Sequence, residues 1–148
     1  MKAFDFSLQN QDDRTVKLFD YRGRRLVLYF YPKDDTPGCT TEACSFRDFS
    51  DQFKAKNVAV LGISKDSPAS HRKFIEKYHL NFDLLSDPTA EAIKAYGAWG
   101  AKKFLGKTFE GILRTTFVIG PDGNIEKTYP NVTPNDHVQE ILSGLTGV

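Results

Sequence analysis

The residues with the clearest chemical potential lie in one short segment, 32–44, which reads PKDDTPGCTTEAC. It follows the apolar run LVLYFY and leads into a predicted amphipathic helix, which is where α/β folds place ligand sites. Cys39 falls in the first turn of that helix, where free backbone N–H groups and the helix dipole favour the nucleophilic thiolate. A free cysteine also packs well as a small buried hydrophobe. Position alone leaves a catalytic role and a packing role open.

The neighbours of Cys39 favour the catalytic role. Pro32 and Pro37 constrain the loop, and Gly38 permits a close approach of backbone to a bound ligand. Thr36 supplies a hydroxyl that can both donate and accept a hydrogen bond. The segment therefore combines a nucleophile with a rigid, polar loop.

A sheet with helices around it is predicted to position this segment. Six segments predict β-strands: 15–19, 25–31, 58–64, 83–85, 115–119 and 124–129. Helices are predicted over about 40–56, from Ser67-Pro68 onward, over 89–96 and after Pro134. The first two strands are expected to pair as a hairpin across 21–23, and the second, apolar throughout, to be a central strand. We predict an α/β fold, one domain over 1–148 with helices on both faces of one sheet.

Composition excludes several classes of function. The chain has 148 residues, a formal net charge of +1, 40% hydrophobic residues and 26% charged residues. No apolar stretch approaches the roughly 20 residues of a membrane helix, and no basic block provides the footprint of a nucleic-acid binder. Asp5 interrupts the region where a secretion signal would be apolar. With only two cysteines, we expect a protein of a reducing compartment, the cytoplasm, that binds neither membranes nor nucleic acids.

Other ligand motifs are incomplete. The residues GKT at 106–108 imitate the end of a phosphate-binding loop, but the required earlier glycine would stand at Ala101, so we predict an ordinary loop. His71, His79 and His137 are dispersed and show no zinc spacing with the two cysteines. The sequence predicts no metal site.

The spacing of Pro32, Thr36 and Cys39 matches the active-site signature of the peroxiredoxins. The segments TPGCTTEACSFRD and YGAWGAKKFLGKTFEGILRTTFVIG resemble the bacterioferritin comigratory protein, or peroxiredoxin Q, group. This resemblance covers essentially the whole chain. It implies a thioredoxin-like fold, a central mixed sheet flanked by helices, with an N-terminal β-hairpin extension.

The resemblance also implies a role for each matching residue. Cys39 corresponds to the peroxidatic cysteine, which attacks the terminal peroxide oxygen and becomes a sulfenic acid. Thr36 would hydrogen-bond the peroxide, and Pro32 would shield the reacting centre from water. Arg114 would hold thiolate and peroxide together, and Glu42 would orient Arg114.

Cys44 matches the resolving cysteine of this group, which forms an intramolecular disulfide with Cys39. The resemblance further implies hydrogen peroxide and alkyl hydroperoxides as substrates, thioredoxin or a similar dithiol as reductant, no cofactor, and a monomer or weak homodimer. The implied function is antioxidant defence.

Helix geometry limits how the two cysteines can react. Five residues along an α-helix separate Cα atoms by about 8.6 Å, whereas a disulfide needs about 4.4 to 6.8 Å. We therefore expect a reduced protein with a continuous helix through Cys44, and local unwinding when Cys39 and Cys44 bond.

Two rival functions remain at this point. A thiol-disulfide oxidoreductase would have a Cys-x-x-Cys motif, but four residues separate Cys39 and Cys44. A redox sensor would use the same Cys39 chemistry as a signal without turnover. Steady-state peroxide consumption distinguishes a sensor from an enzyme.

Overall fold

A computed structural model of the protein describes residues 1–145. Nine strands are present in that range: β1 (Ser7–Gln9), β2 (Thr15–Lys17), β3 (Arg25–Phe30), β4 (Val58–Ser64), β5 (Asp83–Ser86), β6 (Trp99–Phe104), β7 (Lys107–Ile112), β8 (Thr115–Ile119) and β9 (Ile125–Tyr129). Five α-helices accompany them: α1 (Pro37–Asp48), α2 (Ser50–Ala55), α3 (Pro68–Tyr78), α4 (Glu91–Ala95) and α5 (His137–Gly144). Seven strands form one mixed sheet in the order β2-β1-β5-β4-β3-β8-β9, and β6 pairs with β7 separately. None of the described helices is both long and apolar enough to cross a membrane.

Strand β3 lies between β4, which is parallel to it, and β8, which is antiparallel. Val27 and Tyr29 on one of its faces belong to a core that also contains residues of α1, α2, α3 and α5. Leu26 and Leu28 on the other face belong to a second core with α4. The prediction of a central strand buried on both faces, within a helix-flanked sheet, is confirmed.

The predicted pairing of 15–19 with 25–31 is wrong. The Lys17 N–H donates to the Asp20 carboxylate at 2.9 Å, so strand β2 ends there and a 3-10 turn over Leu18–Tyr21 follows. Strand β2 pairs instead with β1, with Val16 opposite Leu8. The N-terminal hairpin is therefore present, but β1 and β2 form it.

Two other details differ from the sequence prediction. The helix predicted over about 40–56 is interrupted at Phe49, which ends α1 and precedes α2. The segment 106–108 was expected to be a loop, but β7 begins at Lys107, and Gly106 at φ 78° lies in the turn after β6. No helix follows this turn directly, so it lacks the context of a phosphate-binding loop.

The topology gathers the segments that carry the predicted chemistry. Phe30, the last residue of β3, pairs with Ile63 of β4 and with Thr115, the first residue of β8. Because β8 runs antiparallel to β3, Arg114 lies at the sheet end where the 31–36 loop begins. The loop, the start of α1 and Arg114 therefore meet at one edge.

Candidate active site

Cys39 is the third residue of α1 and is 1% exposed. Thr36 caps this helix in an extended conformation and Pro37 occupies its first position. The Thr40 N–H donates to the Thr36 carbonyl at 2.8 Å. Within residues 1–145, the N–H groups of Gly38 and Cys39 have no hydrogen-bond partner, as expected for a first helical turn. The thiol thus lies at the electropositive end of a helix with free donors nearby.

Arg114 contacts the thiol directly. Its Nη2 donates to Cys39 Sγ at 3.1 Å, and its Nη1 donates to Glu42 Oε1 at 3.3 Å. The Arg114 carbonyl accepts from the Val132 N–H at 2.9 Å, which holds the backbone at this point. The guanidinium therefore bridges a buried carboxylate and the cysteine, and its positive charge lies beside the sulfur.

Glu42 is 1% exposed and lies one turn after Cys39 on the buried face of α1. Burial raises its pKa from 4.5 to about 7, although the nearby Arg114 opposes this increase. The carboxylate is a costly group at this depth unless it is paired. Its Oε1 forms an ion pair with Arg114 Nη1 at 3.3 Å.

Gly38 lies directly against Arg114. A Cβ atom built on it would lie 2.7 Å from Arg114 Nη2 and 3.3 Å from Pro134 Cγ. The absent side chain thus makes room for Arg114, and this geometry was invisible in the sequence.

Thr36 and Pro32 belong to the loop before α1, and both are half-buried. The Thr36 hydroxyl does not cap the helix but donates to the Lys33 carbonyl at 2.8 Å. Because its proton is engaged there, Thr36 Oγ1 can act toward a ligand as a hydrogen-bond acceptor.

Cys44 is half-buried, and both cysteines are free thiols. Helix α1 continues through Cys44 to Asp48, so the expected reduced-state helix is confirmed. Cys39, Ala43 and Phe46 are buried on its core face.

Helix α3 holds the chain on both sides of the cysteines. Before α1, Asp35 accepts from Lys77 Nζ and from the Tyr78 hydroxyl, both at 2.8 Å. After Cys44, Arg47 Nη1 donates to the Tyr78 carbonyl at 2.6 Å. These anchors were not predicted, since they join residues more than 30 positions apart.

Among the described residues, one group brings metal-ligand atoms together: Asp34, Asp66 and His71, within 4.8 Å of one another. These three residues are dispersed along the chain, so their spacing in the sequence did not predict this group. These atoms are engaged with one another and with neighbouring donors, because His71 Nδ1 contacts Asp34 Oδ2 at 2.7 Å and Asp66 Oδ2 accepts from the Asp34 N–H at 2.8 Å. The arrangement is that of a hydrogen-bond network.

Known proteins share both this sequence and this fold. Residues 1–128 match the AhpC/TSA family. Peroxiredoxin Bcp of Escherichia coli is 46% identical over 140 residues, which cover 95% of this chain and 90% of that protein. Peroxiredoxin Bcp of Bacillus subtilis is 46% identical over 144 residues, which cover 97% and 92%.

The structural comparison agrees with the sequence comparison. The bacterioferritin comigratory protein of Xanthomonas campestris, studied for its alkyl peroxide reduction activity, matches with a TM-score of 0.91 and 34% identity. The match covers 97% of this chain and 91% of that one. The site has a thiol in the first turn of a helix, in contact with a guanidinium. Together with the family match and the relatives of nearly equal length, this shows that the chain belongs to the AhpC/TSA family, among the Bcp peroxiredoxins.

Proposed function

We propose that the protein is a thiol-dependent peroxidase that reduces hydrogen peroxide and organic hydroperoxides, with Cys39 as the nucleophile. The contact between Arg114 Nη2 and Cys39 Sγ, 3.1 Å long, carries this proposal. The thiolate is the form of cysteine that attacks peroxides, and a cation this close to the sulfur lies where negative charge develops during the attack.

In the first step, the Cys39 thiolate attacks the terminal peroxide oxygen and the O–O bond breaks. Sulfur is oxidised to the sulfenic acid, while the other oxygen leaves as hydroxide or alkoxide and takes a proton to become water or an alcohol. Arg114 and the free N–H groups of Gly38 and Cys39 supply donors where negative charge develops. Thr36 Oγ1 accepts the peroxide O–H, and Pro32 limits the access of water.

In the second step, the Cys44 thiolate attacks the sulfenic sulfur of Cys39 and forms a disulfide, while the sulfenic oxygen leaves as hydroxide and takes a proton to become water. Helix α1 must unwind for this bond to form, because an intact helix holds the two residues too far apart. A dithiol reductant of the thioredoxin type then restores both thiols by disulfide exchange.

We further propose that the protein works in the cytoplasm as a monomer or weak homodimer. Its two free thiols suit a reducing compartment.

Steady-state assays test the proposal. With thioredoxin, thioredoxin reductase and NADPH, the protein should consume hydrogen peroxide and tert-butyl hydroperoxide over many cycles, and Cys39→Ser should consume neither. Oxidation of one equivalent without turnover, while the reductant remains active on a control substrate, would instead indicate a redox sensor.

A further inference from the structure

A buried polar network lies at the end of the sheet, behind the active-site loop. His71 of α3 is 0% exposed, and its Nδ1 contacts Asp34 Oδ2 at 2.7 Å. Its Nε2 faces the Leu85 carbonyl at 3.0 Å. The Tyr31 hydroxyl donates to Asp34 Oδ1 at 2.6 Å, and Ser70 Oγ donates to Asp34 Oδ2 at 2.8 Å. The Asp34 carboxylate is thus held by three side chains.

The contacts of His71 fix its ring within the network. A carboxylate oxygen and a carbonyl oxygen accept hydrogen bonds, so Nδ1 and Nε2 each face an acceptor, and the Tyr31 hydroxyl also lies 3.3 Å from Nδ1. A buried network whose polar atoms have partners fixes geometry more tightly than an exposed contact does.

The network reaches Thr36 through a single peptide group. The N–H of the peptide between Lys33 and Asp34 donates to Asp66 Oδ2 at 2.8 Å, and its carbonyl accepts from Thr36 Oγ1 at 2.8 Å. Asp66 Oδ2 also accepts from Ser64 Oγ at 2.7 Å, at the end of β4. The plane of this peptide sets the direction of the Thr36 hydroxyl proton and hence of its lone pairs.

We propose that Asp34, His71 and Asp66 are positioning residues that orient Thr36 to accept the peroxide O–H. This inference rests on the proposed peroxidase function. The three residues act through the peptide between Lys33 and Asp34 and do not touch the substrate. Loss of the network would let the peptide rotate and turn the acceptor away while leaving Cys39 and Arg114 in place.

Two variants and a matched control test the inference. All carry Cys44→Ser, so that Cys39 is the one thiol whose oxidation is measured. Asp34→Asn disrupts the pair with His71, and Asp66→Ala removes the acceptor of the peptide N–H without stranding a buried charge. Each should lower the second-order rate constant of Cys39 oxidation by hydrogen peroxide about tenfold to a hundredfold. Asp13→Asn makes the same chemical change in an exposed pair with Arg72, away from the active-site loop, and should alter the rate by less than about twofold.

Alkylation of Cys39 by iodoacetamide separates positioning from general damage, because it depends on the thiolate and not on Thr36. Its rate should stay within about twofold in every variant. In a Thr36→Val background, Asp66→Ala should cause no further loss of peroxide reactivity, since coupled residues are not additive. Unchanged peroxide rates, an equal loss of alkylation, or full additivity with Thr36→Val would overturn the inference. If the Cys44→Ser parent reacts with peroxide no faster than a free thiol, the proposed function itself fails, whatever the variants do.

Discussion

Glu42 and Arg114 form an ion pair at 3.3 Å across 72 positions of sequence, and the carboxylate is 1% exposed. The other terminal nitrogen of the same guanidinium, Nη2, donates a hydrogen bond to Cys39 Sγ. A planar fork held at one end by a buried carboxylate has little freedom at the other end. The ion pair therefore restricts the Arg114 guanidinium to a position beside the Cys39 sulfur.

Removal of the guanidinium should slow the first step severely. In Arg114→Ala, the positive charge beside the sulfur and a donor to the developing negative charge disappear, so we expect a drop of about a hundredfold or more in the Cys39 oxidation rate. Arg114→Lys should recover only part of it, because an ammonium cannot make both contacts at once. Stopped-flow oxidation by hydrogen peroxide measures this, with the exposed Arg72→Ala as control. A near-normal rate in folded Arg114→Ala would contradict the assignment.

A methyl group at Gly38 should act through Arg114. The added Cβ of Gly38→Ala would meet Arg114 Nη2 at 2.7 Å, so the guanidinium must move off the sulfur. Alanine favours helix over glycine by about 1 kcal/mol, so urea unfolding should show no large loss of stability. Peroxide oxidation should nevertheless slow about tenfold or more, whereas the control Thr41→Ala on the same turn should react normally. Equal rates in both variants would refute this reasoning.

The buried Glu42 should make stability depend on pH. Burial raises its pKa from 4.5 to about 7, so the folded protein binds a proton that the unfolded chain releases between these values. Its contribution is therefore fully present below 4.5 and is lost as pH rises through about 7, amounting to about 3 kcal/mol. Urea unfolding at pH 5 and pH 8 should show most of this loss in the native sequence and not in Glu42→Gln. The same pH dependence in both proteins would assign it to other groups.

The secondary structure around the site was largely predictable, but the contacts within it were not. Apolar composition located β3 and β4, and Ser67-Pro68 marked the start of α3, whose cap Ser67 accepts from the Ser70 N–H. Strands β6 and β7 were missed because most of their residues are half-buried or exposed and carry no clear alternation. The sequence could not show which groups meet across the sheet. The resemblance supplied Arg114, while the roles of Gly38 and His71 required coordinates.

The two cysteines should divide the reaction between them. Cys39→Ser should not react with peroxide, whereas Cys44→Ser should consume about one equivalent and stop as a sulfenic or more oxidised acid. Intact-mass measurement after a stoichiometric pulse distinguishes the two variants. Loss of the first equivalent in Cys44→Ser, with Cys39→Ser still reactive, would reverse the roles.

Disulfide formation should unwind the start of α1. Amide hydrogen exchange across residues 38–48 should be slow in the reduced protein and much faster once mass confirms the bond between Cys39 and Cys44. Strand β4, in the centre of the sheet, should exchange equally in both states and serves as the internal reference. Equal protection of 38–48 in both states would show that the helix need not open.

The two anchors on α3 have a consequence for recovery after each cycle. Asp35 and Arg47 both contact the Lys77-Tyr78 end of that helix, Asp35 before Cys39 and Arg47 after Cys44. The opened segment is then a short loop with both ends held on α3. The ends of a loop of about ten residues meet within about 10 to 100 ns. After reduction, only this segment of α1 has to refold, while the rest of the domain stays folded. The speed at which the enzyme becomes ready again would then be set by its encounter with the reductant.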